Sequence, residues 1–258
     1  MTQLAFIGTG NMAEALIRGI LAKKIFLPKN ILGCDVSLDR LTFIKKKYGI
    51  QITTKTQLAL KNSDIIILSV KPQQMDALLT QFKSDFQDKH LIITIAAGLP
   101  LKFYQKRLGG KKKIIRVMPN TPAMVNLGAS GYSANKNIKK ADKILAEKIL
   151  NAVGMSLAVK NERQIDAITA LSGSGPAYVY LFAQAMIQAG IQLGLNKQAC
   201  KDLVLQTILG ATTLLKQSGE DPQSLIQKVA SKGGTTEAAI YSFKENRFEE
   251  IVNKAIKK

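Results

Sequence analysis

The sequence has few residues that could bind a transition metal or form a disulfide. Its 258 residues include one histidine, His90, and two cysteines, Cys34 and Cys200, which are far apart in the chain. Nothing in their placement resembles a cluster of metal ligands, so we expect no metal cofactor. The sequence has no signal peptide either, and this cysteine usage is typical of a reducing compartment, so we expect a cytoplasmic protein.

Acidic residues are scarce compared with basic ones. The chain has 18 Asp and Glu against 37 Lys and Arg, which gives a formal net charge of +19. Such a charge is compatible with nucleic-acid binding, with an anionic small-molecule substrate, or with a generally basic composition. The lysines form short clusters without interleaved aromatic residues, which argues against a nucleic-acid partner. These clusters lie at 45–47, 111–113, 139–140 and 257–258.

Charged residues are absent from the stretch 167–195, which is long enough to cross a bilayer. Gly173, Gly175 and Pro176 interrupt this stretch, however, and glutamine then recurs at every fourth position. That spacing puts three amides on one face of a helix, so we expect a buried helix at a subunit interface and no membrane span. The glutamines are Gln184, Gln188 and Gln192.

Short β-rich runs alternate with helical patterns in the first half of the chain. Near-continuous apolar strands in such an alternation predict a parallel sheet covered by helices on both faces. The predicted strands are 4–8, 30–34, 64–70, 90–96, 113–118 and 155–159, and the predicted helices between them are 11–23, 38–48 and 73–82.

A glycine-rich turn follows the first predicted strand. In "AFIGTGNMAEALIRG", Gly8, Gly10 and Ala13 match the pattern G-x-G-x-x-G/A between a strand and a helix. The first glycine permits the tight turn, the second lets a pyrophosphate approach the backbone, and the small third residue lets helix and strand pack closely. The phosphates would lie at a helix N-terminus, so the pattern predicts nicotinamide-dinucleotide binding.

The strand pattern stops near residue 160, and helices are predicted at 163–171, 177–193, 197–216, 222–230 and 235–244. We therefore expect an α/β protein in which a Rossmann-type parallel-sheet domain, 1–160, binds the dinucleotide. An all-helical C-terminal domain, 161–258, would follow it. A helical unit of this small size is expected to complete its core by dimerising.

Asp35 lies in "GCDVSLDR", at the end of the second predicted strand. A carboxylate there can accept hydrogen bonds from both ribose hydroxyls, which favours NAD over NADP. Asp35 could instead cap the following helix, although Ser37 could also do this. Arg40 could reach a 2′-phosphate, so the sequence leaves the choice between NAD(H) and NADP(H) open.

Reduction of a ketone by a nicotinamide usually needs a general acid, and His90 is poorly placed for that role. It begins its predicted strand, whereas ligands of open parallel sheets bind at the carboxyl ends of the strands. We therefore interpret His90 as a surface residue. A protonated imine is already electrophilic, so an imine substrate would need positioning and a hydrogen bond to nitrogen more than a strong acid.

Six segments occur in the order and spacing of one family: "IGTGNMAEALI", "SVKPQQM", "ITIAAGL", "RVMPNTPA", "ALSGSGPAYVYLFAQAM" and "SKGGTTEAAI". Over essentially the whole chain, the sequence resembles pyrroline-5-carboxylate reductase, the last enzyme of proline biosynthesis. The resemblance implies reduction of 1-pyrroline-5-carboxylate to L-proline by NAD(P)H, on a Rossmann domain followed by a helical dimerisation domain. It implies a homodimer that can assemble further into decamers.

The resemblance also implies the site residues. The loop of "SKGGTTEAAI" would hold the substrate carboxylate, with Thr236 facing the imine nitrogen. The implied substrate residues are Ser231, Gly233, Gly234, Thr235 and Thr236. The implied cofactor residues, besides Asp35, are Gly8, Thr9, Gly10, Asn11, Met12, Val70, Lys71, Pro72, Asn120 and Thr121.

Simpler interpretations of these segments remain open at this point. Lys71 and Pro72 could merely end a strand, and the glycine-threonine loop could merely cap a helix. Lys232 replaces the usual proline of the loop, and Asp35 followed by Val36 replaces a frequent polar-basic pair, which puts the usual NADPH preference in question.

Two other functions are compatible with the sequence. The first is another nicotinamide-dependent imine or β-hydroxyacid reductase; the hydroxyacid enzymes use a lysine in the first interdomain helix, and 163–171 has none. The second is a catalytically silent dinucleotide sensor, against which the intact hydroxyl-rich loop argues.

Overall fold

The computed structural model describes residues 3–258, which form an α/β region followed by helices. The described strands are β1 (Leu4–Ile7), β2 (Ile31–Cys34), β3 (Gln51–Thr53), β4 (Ile65–Leu68), β5 (Leu91–Thr94), β6 (Lys113–Met118), β7 (Gly128–Ala134) and β8 (Gly154–Ala158). The helices are α1 (Asn11–Ala22), α2 (Leu38–Tyr48), α3 (Thr56–Lys61), α4 (Pro72–Gln81), α5 (Leu101–Leu108), α6 (Lys140–Leu150), α7 (Gln164–Ile168), α8 (Gly175–Gln192), α9 (Lys197–Ser218), α10 (Pro222–Val229), α11 (Thr235–Glu245) and α12 (Phe248–Ile256).

The strands form one sheet in the order β3-β2-β1-β4-β5-β6-β7-β8. Neighbouring strands are parallel except for β6 and β7, which are antiparallel. The carboxyl ends of β1, β2, β3 and β4 therefore meet at one edge of the sheet. The order reverses direction at β1, because β2 and β3 lie on one side and β4 on the other, and such a reversal is where open α/β sheets bind ligands.

Both faces of the sheet are buried, which confirms the predicted fold class. Alternate residues of β1 point to opposite faces: Leu4 and Phe6 pack into one apolar cluster, Ala5 and Ile7 into the other. The first cluster receives residues of α1, α2 and α6, and the second receives residues of α3, α4 and α5. Continuous burial of β1, β2, β4 and β5 explains why these strands are apolar throughout.

Two strands, β3 and β7, were not predicted from the sequence. β3 has three residues, Gln51–Thr53, and lies at the edge of the sheet, where its side chains are partly exposed. β7, Gly128–Ala134, consists mainly of small and polar residues. Gly131 in β7 is required by packing, because a Cβ there would lie 2.3 Å from Cδ1 of Ile168. Neither segment has the apolar run by which the other strands were predicted. The helices α3, α5, α6 and α12 were also missed.

The chain divides into two compact units, one up to Pro176 and the other Ala177–Lys258. α7 and the π-helical segment Thr169–Gly173 that follows it belong to the first unit. Gly173 lies against Met118, since a Cβ at Gly173 would be 2.5 Å from its Cε. Glycine at 173 thus permits this close contact. The domain division near residue 160 stays a prediction.

The second unit buries few of its own side chains. Its buried apolar residues are Ala183, Cys200 and Val204, while Leu181 is 68% exposed and Leu209 is 56% exposed. A Cβ at Gly190 would lie 2.8 Å from Sγ of Cys200, so a glycine lets α8 and α9 approach. Among the described helices, none has the length and apolar content needed to cross a membrane. Within residues 3–258, no group of three or more His, Cys, Asp or Glu could hold a metal ion.

His90 is buried, so its interpretation as a surface residue was wrong. It does precede β5, away from the carboxyl edge, but its imidazole is fully covered. Its Nδ1 accepts a hydrogen bond from the Gln87 N–H at 3.1 Å, and its ring packs edge-on against Phe86. Burial, reinforced by Lys89 and Lys112, lowers the pKa of His90 from 6.5 to about 4. The imidazole is therefore neutral at pH 7.

A neutral buried histidine makes stability depend on pH. Below pH 6.5 the unfolded chain binds a proton that the folded chain does not bind until about pH 4, so acidification favours unfolding. The free energy of unfolding should fall by about 2 kcal/mol between pH 7 and about pH 5. His90→Asn keeps an acceptor for Gln87 and removes the titration, so denaturant unfolding should then show a flat profile in this range. An equal slope in the variant would contradict the assignment.

Candidate active site

A cavity of about 820 Å³ lies in the second unit, and another, of about 700 Å³, opens at the carboxyl edge of the sheet in the first. The cavity of about 700 Å³ is lined by residues at the ends of β1, β2 and β4, which is where the strand order predicts a ligand. Among the residues expected to bind the cofactor, five line it. These are Gly8, Gly10, Asp35, Val70 and Lys71. We call this the sheet-edge cavity.

The glycine turn has the geometry that its sequence predicts. Gly8 has a φ of +94°, and a Cβ there would lie 2.8 Å from the carbonyl carbon of Ser69. The Ser69 hydroxyl donates to the Gly8 carbonyl at 2.7 Å, which holds the turn against the end of β4. Gly10 precedes α1, and a Cβ there would meet nothing within 4 Å. The turn therefore presents open backbone and the start of a 12-residue helix, as a pyrophosphate requires.

Asp35 holds the glycine turn from the neighbouring strand. Its Oδ2 accepts from the Thr9 N–H at 2.7 Å and from the Thr9 hydroxyl at 2.9 Å, and its Oδ1 accepts from the Ser37 N–H at 3.1 Å. Burial disfavours the charged carboxylate, but these hydrogen bonds outweigh it and lower the pKa of Asp35. Ser37 caps α2, because its hydroxyl accepts from the Arg40 N–H at 3.2 Å. Bracing of the turn was not considered from the sequence.

Arg40 also contacts the glycine turn. Its Nε donates to the Thr9 carbonyl at 2.7 Å, and its guanidinium pairs with Glu14 at 2.5 Å. Lys47 and Tyr48 also bind the Glu14 carboxylate, at 2.9 and 2.8 Å. Burial opposes ionisation, yet the hydrogen bonds from these three residues lower the pKa of Glu14 from 4.5 to about 2. Glu14 thus fixes Arg40 beside α1.

The other expected cofactor residues do not line the sheet-edge cavity. Pro72 is the first residue of α4. Lys71, which does line the cavity, is the N-cap of this helix, and β4 already ends at Leu68. Asn120 is buried; its amide donates to the Ser172 carbonyl at 3.0 Å and accepts from the Ala129 N–H at 2.8 Å. Thr9 is buried within the glycine turn, and Asn11 is the first residue of α1. Met12 packs against the first apolar cluster, and Thr121 begins a short 3-10 helix.

The expected substrate loop lies in the second unit. Gly233 has a φ of +73°, and Gly234 is the N-cap of the 11-residue helix α11, which begins at Thr235. The Gly234 N–H donates to the Ser231 carbonyl at 3.0 Å, and the Gly233 N–H donates to a carboxylate oxygen of Glu237 at 2.7 Å. The loop therefore leads into α11 through its N-cap Gly234, and one of its N–H groups, that of Gly233, already binds a carboxylate.

The bracing of the glycine turn is testable through stability. Asp35→Ala removes three hydrogen bonds from a partly buried carboxylate, and we expect it to lower the free energy of unfolding by about 2 kcal/mol at pH 7. Thr9→Val removes only the hydroxyl bond and should cost about half as much. Both values follow from denaturant titrations. Unchanged stability in Asp35→Ala would mean that these bonds contribute nothing.

Comparisons with known proteins agree with this arrangement. The family model for pyrroline-5-carboxylate reductase dimerisation matches residues 162–258, and a model described as NADP oxidoreductase, coenzyme F420-dependent, matches residues 3–98. The pyrroline-5-carboxylate reductase of Pseudomonas aeruginosa is 41% identical over 98% of this chain and 93% of its own.

Solved structures extend the likeness to the fold. A pyrroline-5-carboxylate reductase from Coxiella burnetii has a TM-score of 0.94 at 38% identity, covering 99% of this chain and 95% of that one. The Plasmodium falciparum pyrroline carboxylate reductase with NADP bound has a TM-score of 0.88 at 34% identity, covering 99% and 94%. With the glycine turn, the sheet edge and the helical second unit, this near-complete likeness means that the chain belongs to the pyrroline-5-carboxylate reductase family.

Proposed function

We infer that the chain reduces 1-pyrroline-5-carboxylate to L-proline with NAD(P)H, as an oxidoreductase acting on a CH–NH bond. The observation that carries this function is the match to the family over nearly the whole chain at 41% identity. The direct test is to follow NADPH and NADH oxidation on addition of 1-pyrroline-5-carboxylate and to identify proline as the product. No substrate-dependent oxidation with either nucleotide would refute it.

The glycine turn supports the cofactor half of this function. The nicotinamide supplies the hydride. On the protein side, Gly10 leaves room for the pyrophosphate, and the N-terminus of α1 favours its negative charge. Val70 and Lys71 line the sheet-edge cavity beyond β4, so we assign them to the nicotinamide half, and we expect Asn120 and Thr121 to lie near the ring. We propose that both NADPH and NADH are used.

The substrate loop fits a small carboxylic acid. Gly233 donates its N–H to the Glu237 carboxylate at 2.7 Å, which is an example of the same chemistry within the chain. We propose that the N–H groups of Gly233 and Thr235, with the Ser231 hydroxyl, hold the substrate carboxylate, which would replace Glu237 at the Gly233 N–H. The Gly234 N–H stays on the Ser231 carbonyl and keeps the loop in shape. Lys232 adds a positive charge to this loop, which also favours an anion.

Thr236 is the residue that we assign to the imine nitrogen. Hydride arrives at the ring carbon while electron density collects on the nitrogen. The Thr236 hydroxyl, hydrogen-bonded to that nitrogen, would therefore orient the imine. The bond should be stronger in the transition state than in the ground state, which is the condition for raising turnover. A strong acid is not needed for an imine. His90 supplies none, because it is buried and neutral at the start of β5.

Thr236→Ala should lower kcat/KM by roughly ten- to a hundred-fold, because a hydrogen bond to a charged group is worth about 1.5 to 3 kcal/mol. Thr236→Ser should keep most of the activity, since it retains the hydroxyl. Steady-state kinetics with 1-pyrroline-5-carboxylate measures both.

Ser231→Ala is the matched control on the same loop. It should raise KM more than it lowers kcat, because its hydroxyl would touch only the carboxylate. A kcat/KM for Thr236→Ala within about twofold of the parent, in folded protein, is too small a change for such a bond and would overturn the assignment.

We propose a homodimer formed through the residues after 160, with assembly into a decamer as a further step. The exposed apolar side chains of the second unit, such as Leu181 and Leu209, support this because they need a covering partner. Cytoplasmic location and the absence of a nucleic-acid partner stay as proposals from composition.

Light scattering at micromolar concentration should give at least twice the chain mass of 28.1 kDa. Leu181→Glu should weaken the association, because it would bury a charge at the interface. Thr212→Glu is a comparable exposed change that leaves the apolar side chains intact and tests whether any added charge has this effect. A purely monomeric parent protein would exclude the dimer.

A further inference from the structure

Lys55 lines the sheet-edge cavity and is not among the cofactor residues expected from the sequence. It follows β3, the strand next to β2, and Thr53 of β3 is in register with Cys34 of β2. Asp35 follows Cys34, and its N–H faces the Thr53 carbonyl at 3.4 Å. Lys55 therefore lies just beyond Asp35 at the same edge of the sheet.

The backbone of Lys55 is held while its side chain is free. Its N–H donates to the Thr53 hydroxyl at 3.0 Å, and it is the residue before α3. The residue is exposed, and within the described chain its ammonium has no hydrogen bond or ion pair. The Lys55 ammonium is thus an unpaired cation at a cavity that is expected to bind an anionic nucleotide.

Arg40, the residue suggested by the sequence for binding a 2′-phosphate, already makes contacts within the chain. Arg40 donates to the Thr9 carbonyl and to Glu14, so reaching a 2′-phosphate would break both contacts. Val36, next to Asp35, is 92% exposed and has no polar side-chain atom. Beside Asp35, Lys55 is consequently the described cation that lines the cavity and is free to bind a phosphate.

Lys71 also lines the sheet-edge cavity, but it lies on the other side of the glycine turn. It follows β4, which pairs with β1 opposite β2. In this fold the residue at the end of the second strand marks the adenosine ribose, so the β2–β3 side belongs to adenosine and the β4 side to the other half of the dinucleotide.

We propose that Lys55 binds the 2′-phosphate of NADPH and thereby makes this chain favour NADPH over NADH; the proposal rests on the nicotinamide cofactor of the proposed function. Asp35 alone would favour NADH, because its negative charge repels a 2′-phosphate. Lys55 offsets that repulsion from the neighbouring strand. An ammonium is suited to a phosphate as a point charge.

Binding without turnover tests the proposal. The dissociation constants of NADPH and NADH are measured by nucleotide fluorescence, and those of adenosine 2′,5′-bisphosphate and 5′-AMP by calorimetry. Lys55→Met should raise the constant for NADPH and for the bisphosphate about tenfold, while those for NADH and AMP change less than about twofold. Lys55→Arg should restore the preference, and added salt should reduce it in the parent.

Lys61→Met is the matched control, because Lys61 is an exposed lysine at the last residue of α3, the helix that Lys55 precedes, and it does not line the cavity. It should change none of the four constants. Equal weakening of NADPH and NADH by Lys55→Met, or no weakening, would overturn the proposal. A Lys55-dependent preference for the bisphosphate over AMP supports Lys55 even in a protein that fails to reduce the imine, so the two proposals fail separately.

Discussion

The hydrogen bonds from Thr9 to Asp35 hold together the part of the structure on which the cofactor site depends. β1 and β2 are in parallel register up to Ile7 and Cys34, and the Gly8 N–H still reaches the Cys34 carbonyl at 2.8 Å. Beyond that point the backbone pairing of β1 with β2 ends. The Asp35 carboxylate then joins the two segments by accepting hydrogen bonds from the N–H and the hydroxyl of Thr9. The direction of the turn, and with it the start of α1, follows from this contact.

Charge near the glycine turn is arranged in two groups. Glu14 gathers Arg40, Lys47 and Tyr48 into one hydrogen-bonded cluster that fixes α2 against α1. Lys55 and Lys71 remain over the sheet-edge cavity on either side of the turn. The basic excess of the composition therefore includes two lysines that line this cavity, separate from the lysine clusters of the sequence.

Most secondary structure was predictable because local pattern and tertiary environment agree. The four central strands are buried on both faces, so their apolar runs are unambiguous. β3 and β7 were missed because an edge strand with polar residues and a strand of small residues carry no such run. Lys55 was overlooked for the same reason, since it is placed by β3. The polar residues 53–55 before α3 were the available signal, but such a run is equally typical of a turn.

The sequence by itself determined the α/β class, the glycine turn, the helical second half and the family, because these depend on short-range patterns and on motifs in a fixed order. Only the tertiary structure decided that Asp35 braces Thr9, that Arg40 is committed to Glu14, and that His90 is buried. These features join residues from different strands and helices. The reason is physical: whether a polar side chain faces a ligand, a neighbour or the interior is fixed by which elements pack beside it, and that is not a property of its local sequence.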